Sequence, residues 1–246
     1  MSHKLGPPNR PLTGGMYETW DPADAARWRI YHKDWQTPDA LHRRTFGPFS
    51  RFDHHLRDPS GKRRQDPSGR SVTYLGEDLR TAGAEVFWDD SPGLVARVCP
   101  RHWAAQVVPT QEIPLLTLFD EGADEIGALP ELATGPSTDR DLTQEWAKAI
   151  YEDLMAVGIY YPGAHQFGPC IALFDTAPPL DYVRDTRRRR DAPLQSRGLW
   201  AKFKREYTKK SSSTAKGPIR TRRAEKISSA DCPRCQALGL AFIPAQ

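Results

Sequence analysis

The sequence predicts an α+β protein, a compact mixed-sheet domain followed by a basic C-terminal extension. Three observations carry that prediction. Short apolar runs of strand-like character outnumber helical periods, and their order is not a regular strand–helix–strand alternation, which disfavours a doubly wound sheet. The chain is 246 residues long, enough for one generous domain whose core needs no disulfide or metal staple. Charge is divided along it: residues 183–226 hold 16 Lys and Arg against 4 Asp and Glu, leaving 19 basic and 27 acidic residues elsewhere. An acidic body thus carries a basic tail, and the net charge of +4 describes neither part.

Taken in order, residues 1–24 read as an irregular N-terminal arm, broken by Gly6-Pro7-Pro8 and Gly14-Gly15. The domain proper is expected over 25–182. Trp28–His32 alternates, placing Trp28 and Ile30 on one face and Arg29 and Tyr31 on the other. Residues 56–70 repeat Asp-Pro-Ser-Gly at 58–61 and 66–69 and have nothing apolar to bury after Leu56, so they read as a mobile loop. Ser71–Leu75 is a short strand. Leu79, Ala82, Gly83 and Val86 then recur at helical spacing, with Glu85 at the border of that stripe. Runs at Leu94–Val98, Ala104–Val108 and Ile113–Phe119 read as strands, punctuated by prolines at 100, 109 and 114. The strongest helix is 141–157, with Leu142, Trp146, Ala149, Ile150 and Leu154 on one face and Ser137, Thr138 or Asp139 as its cap. Strands at Gly158–Tyr161 and Gly168–Asp175 follow, and Pro178-Pro179 ends the compact part.

Several classes are excluded. No run approaches 18 apolar residues, so no membrane span is expected. The N-terminus, Met1-Ser2-His3-Lys4, has no apolar stretch behind its charges, so no secretory leader is expected and the reading is cytoplasmic. Cys99, Cys170, Cys232 and Cys235 are too few and too scattered for a disulfide framework. P-loop, Gly-x-Gly-x-x-Gly and Gly-x-Ser-x-Gly motifs do not occur, and His54-His55 lacks the spacing of a helical zinc-protease site.

What rises above this background is an ordered series. It runs Trp28-Arg29-Ile30, then Gly47-Pro48-Phe49-Ser50-Arg51-Phe52-Asp53-His54-His55, then Val72-Thr73-Tyr74-Leu75 with Glu85 eleven residues after the tyrosine. Gln144-Glu145-Trp146-Ala147 and the strands at 158–161 and 168–175 complete it. The series resembles the RES domain family, named for an arginine, a glutamate and a serine, over roughly 150 residues, a single-domain length. The resemblance implies a fold like that of diphtheria-toxin-like ADP-ribosyltransferases. It also implies a toxin that degrades NAD⁺ or transfers ADP-ribose, held inactive by an Xre-type helix-turn-helix antitoxin. By the same resemblance Arg29 matches the family's first functional arginine, Glu85 its glutamate and Tyr74 the tyrosine of its tyrosine strand. Arg51 falls where members carry an arginine in Gly-Gly-Arg-Trp. The serine's place falls near Asp141–Thr143 or at Gly163, and neither holds a serine.

The chemistry explains why such residues would be chosen. NAD⁺, here a substrate with no resident cofactor or metal expected, offers a pyrophosphate dianion, a cationic nicotinamide leaving group and a ribose that breaks through an oxocarbenium-like state. An arginine fork matches phosphate oxygens as lysine does not, the task proposed for Arg29 and Arg51. The face of Tyr74 can stack on the nicotinamide cation. A carboxylate near the ribose C1′, assigned to Glu85, stabilises the developing positive charge. Expected acceptors are water or phosphate, with a macromolecular acceptor as the alternative. A further alternative is an inactive RES-like protein that works through its tail.

The tail, residues 183–246, opens with Arg187-Arg188-Arg189-Arg190 and continues Trp200-Ala201-Lys202-Phe203-Lys204-Arg205-Glu206-Tyr207. Basic residues interleaved with aromatics over 183–226 can track a nucleic-acid backbone and stack on bases, or dock an acidic partner or the acidic body itself. The bland reading is a solvated linker, and the reading adopted is a partly ordered appendage. Cys232-Pro233-Arg234-Cys235 supplies two ligands where a closed zinc site takes four. It reads either as half a knuckle completed by a partner or by the second chain of a homodimer, or as two ordinary thiols. The latter is the reading adopted.

Overall fold

Short runs of aliphatic, aromatic and β-branched residues closed by glycine, proline or aspartate favour pairing over helix formation, and the chain follows that preference. The computed structural model describes residues 5–87, 95–163, 168–183, 191–208 and 223–239. Its strands are β1 (Tyr17–Trp20), β2 (Arg27–His32), β3 (Phe46–Gly47), β4 (Arg64–Gln65), β5 (Val72–Gly76), β6 (Val95–Val98), β7 (His102–Pro109), β8 (Ile113–Thr117), β9 (Gly158–Pro162), β10 (Pro169–Phe174), β11 (Leu180–Tyr182), β12 (Asp191–Pro193) and β13 (Arg223–Lys226). Its helices are α1 (Leu79–Phe87), α2 (Gly122–Glu125), α3 (Glu131–Thr134), α4 (Arg140–Asp153), α5 (Arg197–Tyr207) and α6 (Pro233–Ala237).

Nine strands make one mixed sheet in the order β1-β8-β9-β10-β5-β2-β7-β11, with β12 also pairing on β7. Its pairings are antiparallel except for β8 with β9. Register decides which side chains can meet. Tyr74 stands opposite Ala172, Trp28 opposite Gly76, and Arg29 opposite Ala105.

Both faces of the sheet are covered. On one, α4 lays Trp146, Ala147 and Ile150 against Phe52, Ile159, Tyr161, Ala172 and Phe174. On the other, Tyr31, Leu75, Trp103, Ala105, Val107 and Leu173 pack together. A third cluster, Ile30, Leu79, Ala82, Ala104, Phe203 and Tyr207, ties α1 and α5 to the sheet. Each large apolar side chain so buried is worth about 1.5–3 kcal/mol. The α+β class is as expected.

Four expectations need correction. The arm is not irregular throughout: Tyr17–Trp20 forms a sheet strand because the edge of β8 supplies partners for its backbone. The loop at 56–70 is tied down. Asp58 accepts from the Ser60 and Lys62 amides, and Asp66 accepts from the Ser68 and Leu56 amides and the Ser68 hydroxyl. The repeat is therefore two Asp-anchored turns. In α1, Val86 leaves the apolar stripe and is exposed, while Thr81 and Ala84 are buried. Finally, the described parts of the tail pack on the body, as the reading of a partly ordered appendage docked on it allows, and it is the base-stacking reading of its aromatics that fails. β12 pairs with β7, β13 with β6, and the α5 aromatics expected to stack on bases turn inward, with Phe203 and Tyr207 fully buried. Their i, i+4 spacing makes an apolar face, and Gly83 of α1 gives it room: a Cβ there would lie 2.5 Å from Phe203 Cε2. Arg187–Arg190 lie outside the described residues.

Candidate active site

The site is built around a buried carboxylate that the sequence did not single out. Asp53 is fully buried and accepts from Arg44 Nη2 at 2.9 and 2.7 Å, from the Phe49 and Ser50 amides at 2.5 and 3.0 Å, and from the Tyr74 hydroxyl at 2.8 Å. Burial alone would raise its pKa. Arg44, His55 and the two amides outweigh burial and hold it below the ordinary carboxylate value. Tyr74, on β5, also accepts from the Phe52 amide at 3.1 Å. On α4, Gln144 donates to the Ser50 carbonyl at 3.0 Å and accepts from Arg57 at 2.9 Å. Residues 47–53 are thereby fixed in one conformation by the sheet on one side and α4 on the other.

That loop presents Arg51. Its guanidinium donates to the Gly135 carbonyl at 2.7 Å and to the Leu132 carbonyl at 3.4 Å, from the segment that leads into α4. Burial lowers its pKa, while the fields of Tyr161, Glu85 and Tyr74 act in the opposite sense. Glu85 enters from the last turn of α1 and is half-buried. Its Oε1 lies so close to Gly163, at the end of β9, that a Cβ there would stand 3.1 Å from it, 3.2 Å from Cys170 Sγ and 2.9 Å from the Gly168 carbonyl. Of the two places the resemblance allowed for the serine, Gly163 is the one shown against Glu85. Thr143 instead turns its hydroxyl to the Arg140 carbonyl, and Asp141 pairs with Arg57. Burial is the first cause raising the Tyr161 hydroxyl, and Cys170 and Glu85 add to it. Its ring meets Phe52 edge-on at 4.7 Å.

Three of the four expected residues, Arg51, Tyr74 and Glu85, therefore gather at one place, and Arg29 does not join them. Trp28 shares a face with Gly76 and hence with Tyr74, so the alternation of β2 sends Arg29 to the opposite face. There Arg29 is 5% exposed and donates to the Ala40 and His42 carbonyls at 2.6 and 2.7 Å. Burial pulls its pKa down to about 10. The expectation that it shares a phosphate-binding task with Arg51 is corrected by this placement. The sequence reading assigned no role to Asp53, Gln144 or Tyr161. An aspartate two residues after Arg51 was a visible signal for the first. His54 and His55 hydrogen-bond within the fold: His54 meets Asp175 at 2.9 Å, and His55 donates to the Arg44 carbonyl at 3.0 Å.

Fold and site together define an α+β protein with an arginine–tyrosine–glutamate cluster at one end of its central strands. The RES domain model matches residues 26–195, well over half of the chain, and the protein belongs to the RES domain family. The matched span runs beyond the expected domain end at 182 and takes in β12. No curated protein matches the chain. Among solved structures, the crystal structure of the M. tuberculosis MbcT–MbcA toxin–antitoxin complex is similar, at 12% identity and a TM-score of 0.46, covering 81% of this chain and 93% of that one.

Proposed function

We propose that this protein is the toxin of a toxin–antitoxin pair and that it consumes NAD⁺ by breaking the bond between nicotinamide and ribose. One observation carries the reading: within the span of the RES match, Tyr74 and Glu85 come from two separate segments into electrostatic reach of Arg51 on a third, with Glu85 set against Gly163. Arg51 has five N–H donors, and two bonds to carbonyls leave others for pyrophosphate oxygens. Glu85 stabilises the positive charge that grows at C1′ as the glycosidic C–N bond breaks and its electron pair leaves with nicotinamide. The incoming oxygen of water or phosphate bonds to C1′ and gives its proton to Glu85 or to solvent. Tyr74 has its hydroxyl committed to Asp53, so it contributes its ring face and holds the loop that carries Arg51. An Xre-type antitoxin is the proposed partner, and its task would be to cover this cluster.

The test is nicotinamide release from NAD⁺ by the purified protein, with and without phosphate, beside Glu85→Gln. Release abolished by the substitution supports the reading, and its phosphate dependence tells phosphorolysis from hydrolysis. Label from NAD⁺ transferred to a macromolecule would instead point to ADP-ribosylation. Absence of both from folded protein would overturn the NAD⁺ reading.

A further inference from the structure

The Cys-x-x-Cys of the tail acquires in the fold the two partners it lacks in the sequence. His32, the last residue of β2, Cys99, just after β6, and Cys232 and Cys235, at the start of α6, bring one ligand atom each to within 4.8 Å of one another. All four residues are buried. Cys99 Sγ lies 3.8 Å from Cys235 Sγ, and His32 Nε2 lies 3.2 Å from Cys235 Sγ. A tetrahedral zinc ion with Zn–S bonds of about 2.3 Å sets its sulfurs about 3.8 Å apart. We propose that His32, Cys99, Cys232 and Cys235 form a structural Zn²⁺ site that fastens the C-terminal segment to the body.

The surroundings of His32 supply an independent argument. Its Nδ1 faces Asp34 Oδ2 at 3.2 Å. A proton shared with that carboxylate leaves Nε2 as the lone-pair nitrogen, and Nε2 is the atom aimed at the sulfurs. A carboxylate behind a ligating imidazole is what fixes a metal-binding histidine in its tautomer. Asp34 is itself held by Arg234, at 3.2 and 3.0 Å, and Arg234 lies between the two cysteines of the motif. The same aspartate thus orients the histidine and anchors the turn that brings Cys232 and Cys235 to it. Three thiols packed for apolar burial alone would need neither the imidazole nor the ion pair.

Metal identity follows from the ligands. Three sulfurs and one imidazole in a closed tetrahedron suit Zn²⁺ over the hard cations that prefer oxygen. Binding releases the three thiol protons to solvent, leaving a centre of net charge −1. Four protein ligands leave no position for water or substrate, so the ion is structural. It would lock β13 and α6 beside β6 and the end of β2. The expectation of two ordinary thiols and no metal is replaced by this proposal, which does not depend on the activity assigned above.

The test is the metal content of the full chain purified without chelator. About one zinc per chain is expected, falling to background in Cys232→Ser and Cys235→Ser, persisting in His32→Cys and unchanged in Cys170→Ser. Co²⁺ added to the stripped protein should give the intense visible absorption and sulfur-to-metal charge-transfer band of a tetrahedral thiolate site. If the variants do not fold, the zinc content and cobalt spectrum of the unaltered chain decide. Folded protein that carries no zinc and takes up no Co²⁺ would overturn the proposal. So would zinc retained in both cysteine variants, iron in place of zinc, or a disulfide among the three cysteines.

Discussion

On one face of the central sheet Arg51 is held, half-buried, beside Glu85 and Tyr161. On the other face Arg29 is shut in beneath the turn at 40–42 and spends its donors on two main-chain carbonyls. Both arginines belong to the motif series, and both were given the same task by residue type. The difference is one of parity. A strand shows neighbouring side chains to opposite faces, so a residue adjacent to a site-facing position is the one least able to reach the site. An arginine buried among carbonyls organises backbone, whereas one only half-buried, with donors to spare, can meet a ligand.

This contrast can be broken in graded ways. The largest effect is expected at the hub beneath Arg51. Asp53→Ala removes the carboxylate that pairs Arg44 and leaves that guanidinium uncompensated, which should cost about 3–5 kcal/mol in denaturant unfolding. Next is Glu85→Gln, expected to slow nicotinamide release by about 10²–10³-fold with the thermal midpoint little changed. A proportionate loss of stability would place Glu85 on the structural side of the comparison. Arg29→Met should do the reverse. Stability should fall by about 1–3 kcal/mol as two carbonyls lose their donor, while turnover per folded molecule stays as in the parent. A selective loss of turnover in Arg29→Met would overturn the division between the faces. Tyr74→Phe, which keeps the ring and loses the bonds to Asp53 and Phe52, should cost about 1 kcal/mol and widen the range of positions Arg51 can take, read as a raised KM.

A finer test uses pH. Asp53 has a folded pKa below its unfolded value of 3.8, so its contribution is present above about pH 4 and is lost as pH falls through the lower folded value. His55 is also depressed, first by burial and then by Arg44 and His54 against the opposing pull of Asp53. The unfolded chain therefore takes up a proton below its value of 6.5 that the folded chain resists, and stability declines on the acid side of that point. Thermal midpoints should fall steadily from pH 7 toward pH 3. Asp53→Asn should make the fall below about pH 4 shallower by Asp53's share, leaving the share of other depressed carboxylates such as Asp175.

Much of the fold was legible in the sequence because its signals are local. The Trp28–His32 alternation, the 79–87 helix and the apolar face of α4 all express contacts within a few residues. The Tyr74-to-Glu85 interval was informative for the same reason, spanning only a strand, a turn and a helix. What escaped depends on distant partners. Tyr17–Trp20 is a strand because β8 has an open edge. The parity of Arg29 could be read, but which face bore the site depended on β2 lying next to β5. Phe203 and Tyr207 looked like stacking platforms because the lysines between them drew attention from the spacing that buries them. The cysteines at 232 and 235 could be weighed only as a pair, since Cys99 and His32 reach them through the folding of the whole sheet.

The seat that Gly83 makes for Phe203 sets an order of events during synthesis. Glu85 leaves the ribosome more than a hundred residues before α5 does, and α5 lies beyond residue 195, where the family match ends. Until Phe203 and Tyr207 arrive, the helix that carries Glu85 rests on the sheet through Leu79 and Ala82 but lacks the backing that α5 gives it at Gly83. A nascent or prematurely ended chain would thus possess every motif residue while the helix that holds the glutamate is backed by the sheet alone. The final support of Glu85 would therefore follow the synthesis of every motif residue.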